Sequence, residues 1–459
     1  MSLRSTEHRH LKRRAMTGGM LAMTMFCCVS AGPFGLEPAI SAAGPGIALL
    51  LIAVLPILWA LPDALTTAEL APAIPEEGGY IVWVRRAMGP VAGFLNAWWT
   101  WIYALLDAAI YPVYFTASLS GILELYFGVD VLRQNDLARW AVCLVVIAAF
   151  TWLNARGTRL VGFSGVAMAV IIIVPFALLV VYGASQLLQD PRPIPTSLAP
   201  PSGNFTGALA AGMAIVMWNY LGWDQLSTIA EEVDRPERAY PRAIFLCVPL
   251  VAAVYLFPVL IGLAFVPNPE AWQEGAWPRI ADTIGGPWLA FPMLVASLAS
   301  PVALFTASLL ASSRVPFVMA EQGYLPKALV QIHPRFGTPV RALLVSAVVF
   351  AILAWKSFAE LVALNVLMYS AALCLESAAL IVLRVKEPQL PRPFKIPGGH
   401  PVLALVFLLP VSVAIAMTVF SVLDEGWEGQ ISSVAALASG PAVYFGILAW
   451  RKLRRRRGA

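Results

Sequence analysis

The chain has 459 residues, of which 59% are hydrophobic and only 12% charged. A soluble domain carries about twice that charged share, so a water-soluble enzyme or binding module is excluded as the starting class. The net charge of +5 is not the footprint of a nucleic-acid binder, because the basic residues stand between and beside apolar runs.

In chain order, the first element is a basic polar tail, Met1–Arg14. No short apolar core ending in a small-residue cleavage site comes after it, so no signal peptide is expected. Twelve apolar runs come next, at roughly 15–44, 46–72, 88–127, 138–154, 159–187, 206–230, 243–266, 286–314, 339–355, 358–383, 401–422 and 434–451. A crossing needs about 20 apolar residues. The third and eighth runs exceed that need, which predicts tilted helices. The runs make one all-α integral membrane domain over 15–451, set between the basic tail 1–14 and a second basic tail, 452–459. The arginines from Arg451 to Arg457 suit an anionic lipid surface. All five cysteines, Cys27, Cys28, Cys143, Cys247 and Cys374, lie inside apolar runs without metal-ligand spacing, where thiols act as small hydrophobes.

Orientation can be read from the loops. Placing the N-terminus in the cytoplasm puts all but five of the 31 Lys and Arg residues on that side, the exceptions being Arg133, Arg139, Arg192, Arg279 and Lys356. Several outer loops are acidic, as at Glu270, Glu274, Asp282, Asp424, Glu425 and Glu428. This bias is what the positive-inside rule requires, and it predicts an even number of spans with both ends cytoplasmic.

Two runs contain sequence that resists continuous helix. In the first, Ser30-Ala31-Gly32-Pro33-Phe34-Gly35 places two glycines and a proline at membrane depth. Proline removes a backbone donor and clashes with the preceding turn. In the sixth, Trp218-Asn219-Tyr220-Leu221-Gly222-Trp223-Asp224 holds a glycine and polar groups where lipid tolerates neither. Irregular backbone survives there only inside protein or around a watery cavity. Broken helices at equivalent places in two inverted halves, here spans one and six, point to a solute site. The freed amides near Ser30, Ala31 and Gly32 suit an anion, and freed carbonyls suit a cation.

Other stretches carry a resemblance. They include Pro75-Glu76-Glu77-Gly78-Gly79-Tyr80, Gly89-Pro90, Gly93-Phe94, Glu231-Glu232-Val233 with Pro236, Arg238 and Pro241, and Gln322-Gly323-Tyr324-Leu325-Pro326. Gly337-Thr338-Pro339 and Pro391-Arg392-Pro393-Phe394 complete the series. In this order, with the break at Ser30–Gly35, the chain resembles the amino acid/polyamine/organocation transporter superfamily along nearly its whole length. The usual Gly-Ser-Gly of helix one reads Ser30-Ala31-Gly32 here. Gly32–Glu37, Asp107–Pro112 and Trp223-Asp224 look most like its polyamine:proton symporters. The resemblance implies a LeuT-type five-plus-five inverted repeat with helices one and six broken and spans eleven and twelve outside it. It also implies proton-coupled alternating access for polyamines or other small cationic nitrogen solutes, with an amino-acid permease or antiporter as the alternative.

Ionisable groups inside a span cost at least ~2.5 kcal/mol each, so they need a reason. Glu37 comes just after the first break, and Asp224 closes the second beside Trp218, Tyr220 and Trp223. Asp107 in span three has Tyr103, Tyr111 and Tyr114 on the same helical face. The functional expectation is that Glu37, Asp107 and Asp224 point into one cavity and bind ammonium groups beside aromatic rings. The plainer alternatives are that Asp224 caps the second half of helix six, that Glu37 is wet at the outer interface, and that the tyrosines only pack. Asp63, Glu69 and Glu376 form a second group. Glu69 and Glu376 are read either as partners of a loop arginine or as proton carriers loaded when the cavity closes. Glu231 and Glu232, near Arg235 and Arg238, are candidates for a gate or cap.

Span eight offers Ser297 and Ser300 interrupted by Pro301, rather than the adjacent hydroxyls of sodium-coupled relatives, so the proton is the expected driving ion. No cofactor or metal is expected. The four histidines lie in the tail or in loops, and no nucleophile motif or phosphate loop accompanies a cavity. The expected partners are a small solute and the bilayer, in the plasma (inner) membrane.

Overall fold

The computed structural model describes residues 17–457 except 31, 77, 156–164, 322–326 and 332–339. Among the described residues the regular structure is helical throughout. Nine of their helices are long and apolar enough to cross a membrane, and three shorter apolar helices, Gly18–Val29, Phe205–Asn219 and Val340–Leu353, stand where the first, sixth and ninth spans are expected. The twelve expected runs are therefore all represented. Their lipid-facing surface is apolar: Val181 and Ile352, for example, are 70% and 67% exposed. Such side chains on a molecule this large mark a surface meant for an apolar solvent.

Span one breaks where proline and glycine demand it. Helix Gly18–Val29 ends at Ser30, whose backbone is extended, and the chain re-enters helix at Glu37–Ala43. Gly35 sits at φ +85°, and a Cβ there would lie 2.7 Å from Trp218 Cζ3. Glycine is thus required twice, by backbone sign and by the close approach of span six. Span two, Pro45–Ala73, carries a π turn at Pro56–Ala60. Pro56 and Pro62 interrupt the hydrogen-bond ladder on either side of it. Span three, Pro90–Phe127, and span eight, Pro287–Glu321, run to 38 and 35 residues. At 1.5 Å per residue each is over ~50 Å long, more than the hydrocarbon thickness.

Span six differs in detail from its expected form. The helix Phe205–Asn219 continues through Trp218, so the break begins at Tyr220. Beyond the break the chain forms a 3₁₀ segment, Gln225–Glu232, not an α-helical half. Asp224 precedes it without making a side-chain cap, so the capping alternative is set aside; the shared hydroxyl of Tyr369 holds this carboxylate instead. The last helix, Ile431–Arg457, carries the basic stretch from Lys452 onward as a continuation of span twelve. The N-terminal tail 1–14 lies outside the described residues.

Candidate functional site

A small cavity lies where the two broken helices meet span three, with about 60 Å³ open to water-sized molecules. Cys28 and Val29 close it from the end of the first half-helix, and Trp218 and Asn219 from the corresponding end of span six. Span three contributes Tyr103, Asp107, Tyr111 and Tyr114, successive members of the face anticipated from the i, i+4 and i+7 spacing. At ~10–15 Å³ per water, this room fits a few waters rather than an extended solute.

Asp107 is the acid on that wall. Tyr111 Oη donates to Oδ2 at 2.7 Å, Trp218 Nε1 donates to Oδ1 at 3.1 Å, and Ser308 Oγ lies 3.5 Å from Oδ2. No Lys or Arg among the described residues forms an ion pair with it. Neutral donors orient the carboxylate without cancelling its charge, which leaves it able to attract a cation. Aromatic rings surround the spot. Trp218 lies 6.4 Å from Tyr111 and 5.4 Å from Phe358, and Tyr114 is 5.7 Å from Phe358, centroid to centroid. Ring faces at this spacing favour an ammonium group.

The breaks are held by donors from elsewhere. Tyr255 of span seven places its hydroxyl 2.7 Å from the Asn219 carbonyl and 3.2 Å from that of Val29. Its single proton can go to either carbonyl, so one side chain stands between the freed carbonyl ends of both half-helices, with the shorter contact to Asn219. Trp277 Nε1 donates to the Pro33 carbonyl at 3.0 Å. At the amide end, Gly35 N–H donates to Glu37 Oε2 at 2.6 Å, and Gly32 N–H to Ser30 Oγ at 3.3 Å. Glu37 also accepts from Tyr114 Oη at 2.7 Å. Glu37 is fully buried, so it is not a wet interfacial group.

The predicted residues therefore separate. Gly32, Asp107, Tyr111 and Trp218 line the cavity. Ser30, Glu37, Tyr220, Trp223 and Asp224 stand outside that lining, so the three acids do not share one wall. Tyr220 Oη donates to the Ile52 carbonyl and Trp223 Nε1 to that of Tyr220, both in the core. Ala31 lies outside the described residues, as do the side chains of Glu231 and Glu232.

Glu69 takes its arginine-partner alternative. It is fully buried, accepts from Nε and Nη2 of Arg384 in a fork, lies 3.3 Å from Arg392 Nε and accepts from Ile396 N–H at 2.9 Å. Glu376 does not pair with Arg384; it accepts from Asn96 Nδ2 at 3.0 Å. Tyr255, Trp277 and Tyr369 escaped sequence reasoning. Their roles are hydrogen bonds to distant backbone or acids, and a tyrosine or tryptophan in an apolar run carries no mark of that. Among the described residues no group of three or more His, Cys, Asp or Glu is placed to hold a metal.

Similarity to known proteins places the chain in a family. The pattern of the family described as amino acid permease matches residues 16–437. A probable polyamine transporter of Arabidopsis thaliana is 37% identical over 402 residues, 87% of this chain and 78% of that protein. A polyamine transporter of Oryza sativa subsp. japonica is 33% identical over 430 residues, 93% of this chain and 77% of that protein. The large neutral amino acids transporter small subunit 2 of Rattus norvegicus is 27% identical over 440 residues, 90% and 76% of the two chains. With two broken helices around an acid-bearing cavity and the family pattern spanning nearly its whole length, the chain belongs to the amino acid permease family and is a multi-pass membrane transporter, not an enzyme.

Proposed function

We propose that this transporter moves small organic cations, di- or polyamines first among them, by alternating access driven by the proton gradient and without a cofactor. The observation that carries the reading is Asp107, a cavity-facing carboxylate held by neutral donors and flanked by aromatic rings. A cationic head group would meet its charge and the faces of Tyr111 and Trp218 together. The polyamine transporters among its relatives favour the same solute class.

A second reading, an amino-acid permease or antiporter of the same fold, is favoured by the likeness to a large neutral amino acids transporter. An amino acid needs free amides for its carboxylate. At the span-one break the amides of Gly32 and Gly35 are already engaged by Ser30 and Glu37. Glu37 thus fills a place where an external carboxylate would bind, which favours the cation. In this reading Glu37 shapes the break, Asp107 binds, Glu69 anchors and Glu231 and Glu232 belong to a gate. The proposed location is the plasma (inner) membrane, with both termini cytoplasmic, supported by the charge bias of the loops.

The test is uptake of radiolabelled putrescine by the purified protein in proteoliposomes under an inward proton gradient, with spermidine, arginine, leucine and alanine as competitors. Spermidine should compete, and Asp107→Asn should lower uptake by tenfold or more, since a charge-assisted contact contributes ~1.5–3 kcal/mol. Robust leucine or alanine transport with putrescine ignored would replace this reading with the second.

A further inference from the structure

Behind the cavity wall lies a second group of acids that solute binding does not use. Tyr369 of span ten places its hydroxyl 2.5 Å from Asp63 Oδ2 and 3.0 Å from Asp224 Oδ1, and the Gly222 N–H donates to that Tyr369 hydroxyl oxygen at 3.4 Å. All three side chains are at most 2% exposed. A phenol has one hydrogen to give and two lone pairs to accept with. The Gly222 amide takes one lone pair and one carboxylate takes the hydrogen. The remaining carboxyl group is then a partner only if it donates, which requires a proton on it. Two bare carboxylates facing one hydroxyl in a dry interior would instead repel.

A second feature is independent of those contacts. Asp63 Oδ1 has no hydrogen-bond partner among the described residues, and neither do the buried Trp59 Nε1 and Thr67 Oγ1 on the same span. An ionised carboxylate with one bare oxygen is costly at this depth, and a carboxylic acid much less so. No Lys or Arg among the described residues forms an ion pair with either aspartate, and Arg384 and Arg392 are committed to Glu69. The titratable groups sharing their electrostatic surroundings are Glu376 and Tyr369 from span ten, Tyr103 from span three, Tyr80 and Cys28. None of these brings a positive charge.

We propose that Asp63, Tyr369 and Asp224 form the proton-carrying site of this transporter, with Tyr369 relaying one proton between the two carboxyl groups. In the transfer the Asp63 carboxyl proton passes to the Tyr369 oxygen while the phenolic proton passes to Asp224. Tyr369 ends as a neutral phenol, Asp63 as a carboxylate and Asp224 as an acid, with the proton supplied by and returned to bulk water. The position suits coupling. Asp224 immediately precedes the 3₁₀ segment Gln225–Glu232, whose first residue lines the solute cavity. Tyr103, also on the cavity wall, packs its ring 5.2 Å from that of Tyr369. Moving the proton changes what holds the start of the span-six segment, and both neighbours of the relay, Gln225 and Tyr103, line the cavity a solute would enter.

This inference rests on the proton-coupled reading, and one experiment separates the two. Asp63→Asn and Tyr369→Phe proteins in proteoliposomes would be assayed for putrescine accumulation under an inward pH gradient and for putrescine counterflow without one. Both variants should lose gradient-driven accumulation at least tenfold while keeping at least half of wild-type counterflow, with counterflow no longer varying between pH 5.5 and 8. Accumulation within twofold of wild type in both variants overturns the relay alone. Equal loss of counterflow and accumulation in both also overturns it, by assigning these residues to binding or folding. Wild-type counterflow without gradient-driven accumulation, or accumulation driven by sodium, overturns the proton-coupled reading and the relay with it.

Discussion

At the residue scale, sequence marks chemistry but not its company. Asp107 was legible as a candidate because an acid inside a span demands a reason and because tyrosines recur at i−4, i+4 and i+7 on its face. Its donors Trp218 and Ser308 come from other spans and were not legible together. Gly35 shows the same division. Its presence signals a break, but the reason it tolerates no side chain is Trp218 of span six. Gly35→Ala combines a positive φ with a Cβ 2.7 Å from an indole ring. It should destabilise the protein by about 2–5 kcal/mol, the sum of a left-handed backbone penalty and overpacking. A lowered midpoint of thermal unfolding in detergent, relative to Gly19→Ala, whose added Cβ meets nothing within 4 Å, would register it.

At the scale of elements, proline and glycine punctuation located both breaks, yet not what the chain does after the second one. The 3₁₀ form of Gln225–Glu232 is a tertiary outcome. Its Leu226 carbonyl is held by Tyr240 Oη at 2.7 Å, and its Ser227 meets the backbone of Gly79 closely. Glu69 illustrates how an intramembrane acid can be held by distant partners, tying span two to Arg384 at the end of span ten and to Arg392 beyond it. Glu69→Gln leaves two largely buried guanidinium groups without their anion, and should cost ~3–5 kcal/mol. Replacing Glu69 and Arg384 together by methionine should cost less, and thermal unfolding of the two variants decides. Beside this anchor, Arg86 hydrogen-bonds Glu387 at 2.9 and 2.7 Å. That bond holds the Glu387 carboxyl below the usual glutamate range. The stabilisation is therefore complete above about pH 4.3 and fades as pH falls through the lower value in the folded protein. Thermal midpoints of wild type and Glu387→Gln should accordingly converge on acidification, by a small amount because the pair is partly exposed.

At the scale of the whole molecule, the twelve-span count and the loop-charge bias lead to a direct expectation about sidedness. Ser432→Cys, exposed in the first turn of the last span, should react with a membrane-impermeant maleimide in intact spheroplasts. Lys395→Cys, exposed beyond span ten, should react only after permeabilisation. Reversed labelling would invert the topology. The fold class, the number of spans, the two breaks and Asp107 as a candidate were determined by sequence alone. The reason is that the bilayer charges every exposed backbone group and every buried ion heavily, so helix, break and intramembrane acid each leave a local trace. Which acids share a wall was decided only by tertiary structure. Glu37 turned into the span-one break, Asp224 turned to Tyr369, Asp63 joined it from span two, and Asp107 alone of these four lines the cavity. A single sequence records the residue that carries a charge, whereas the partner that orients or neutralises it arrives from a helix far away in the chain.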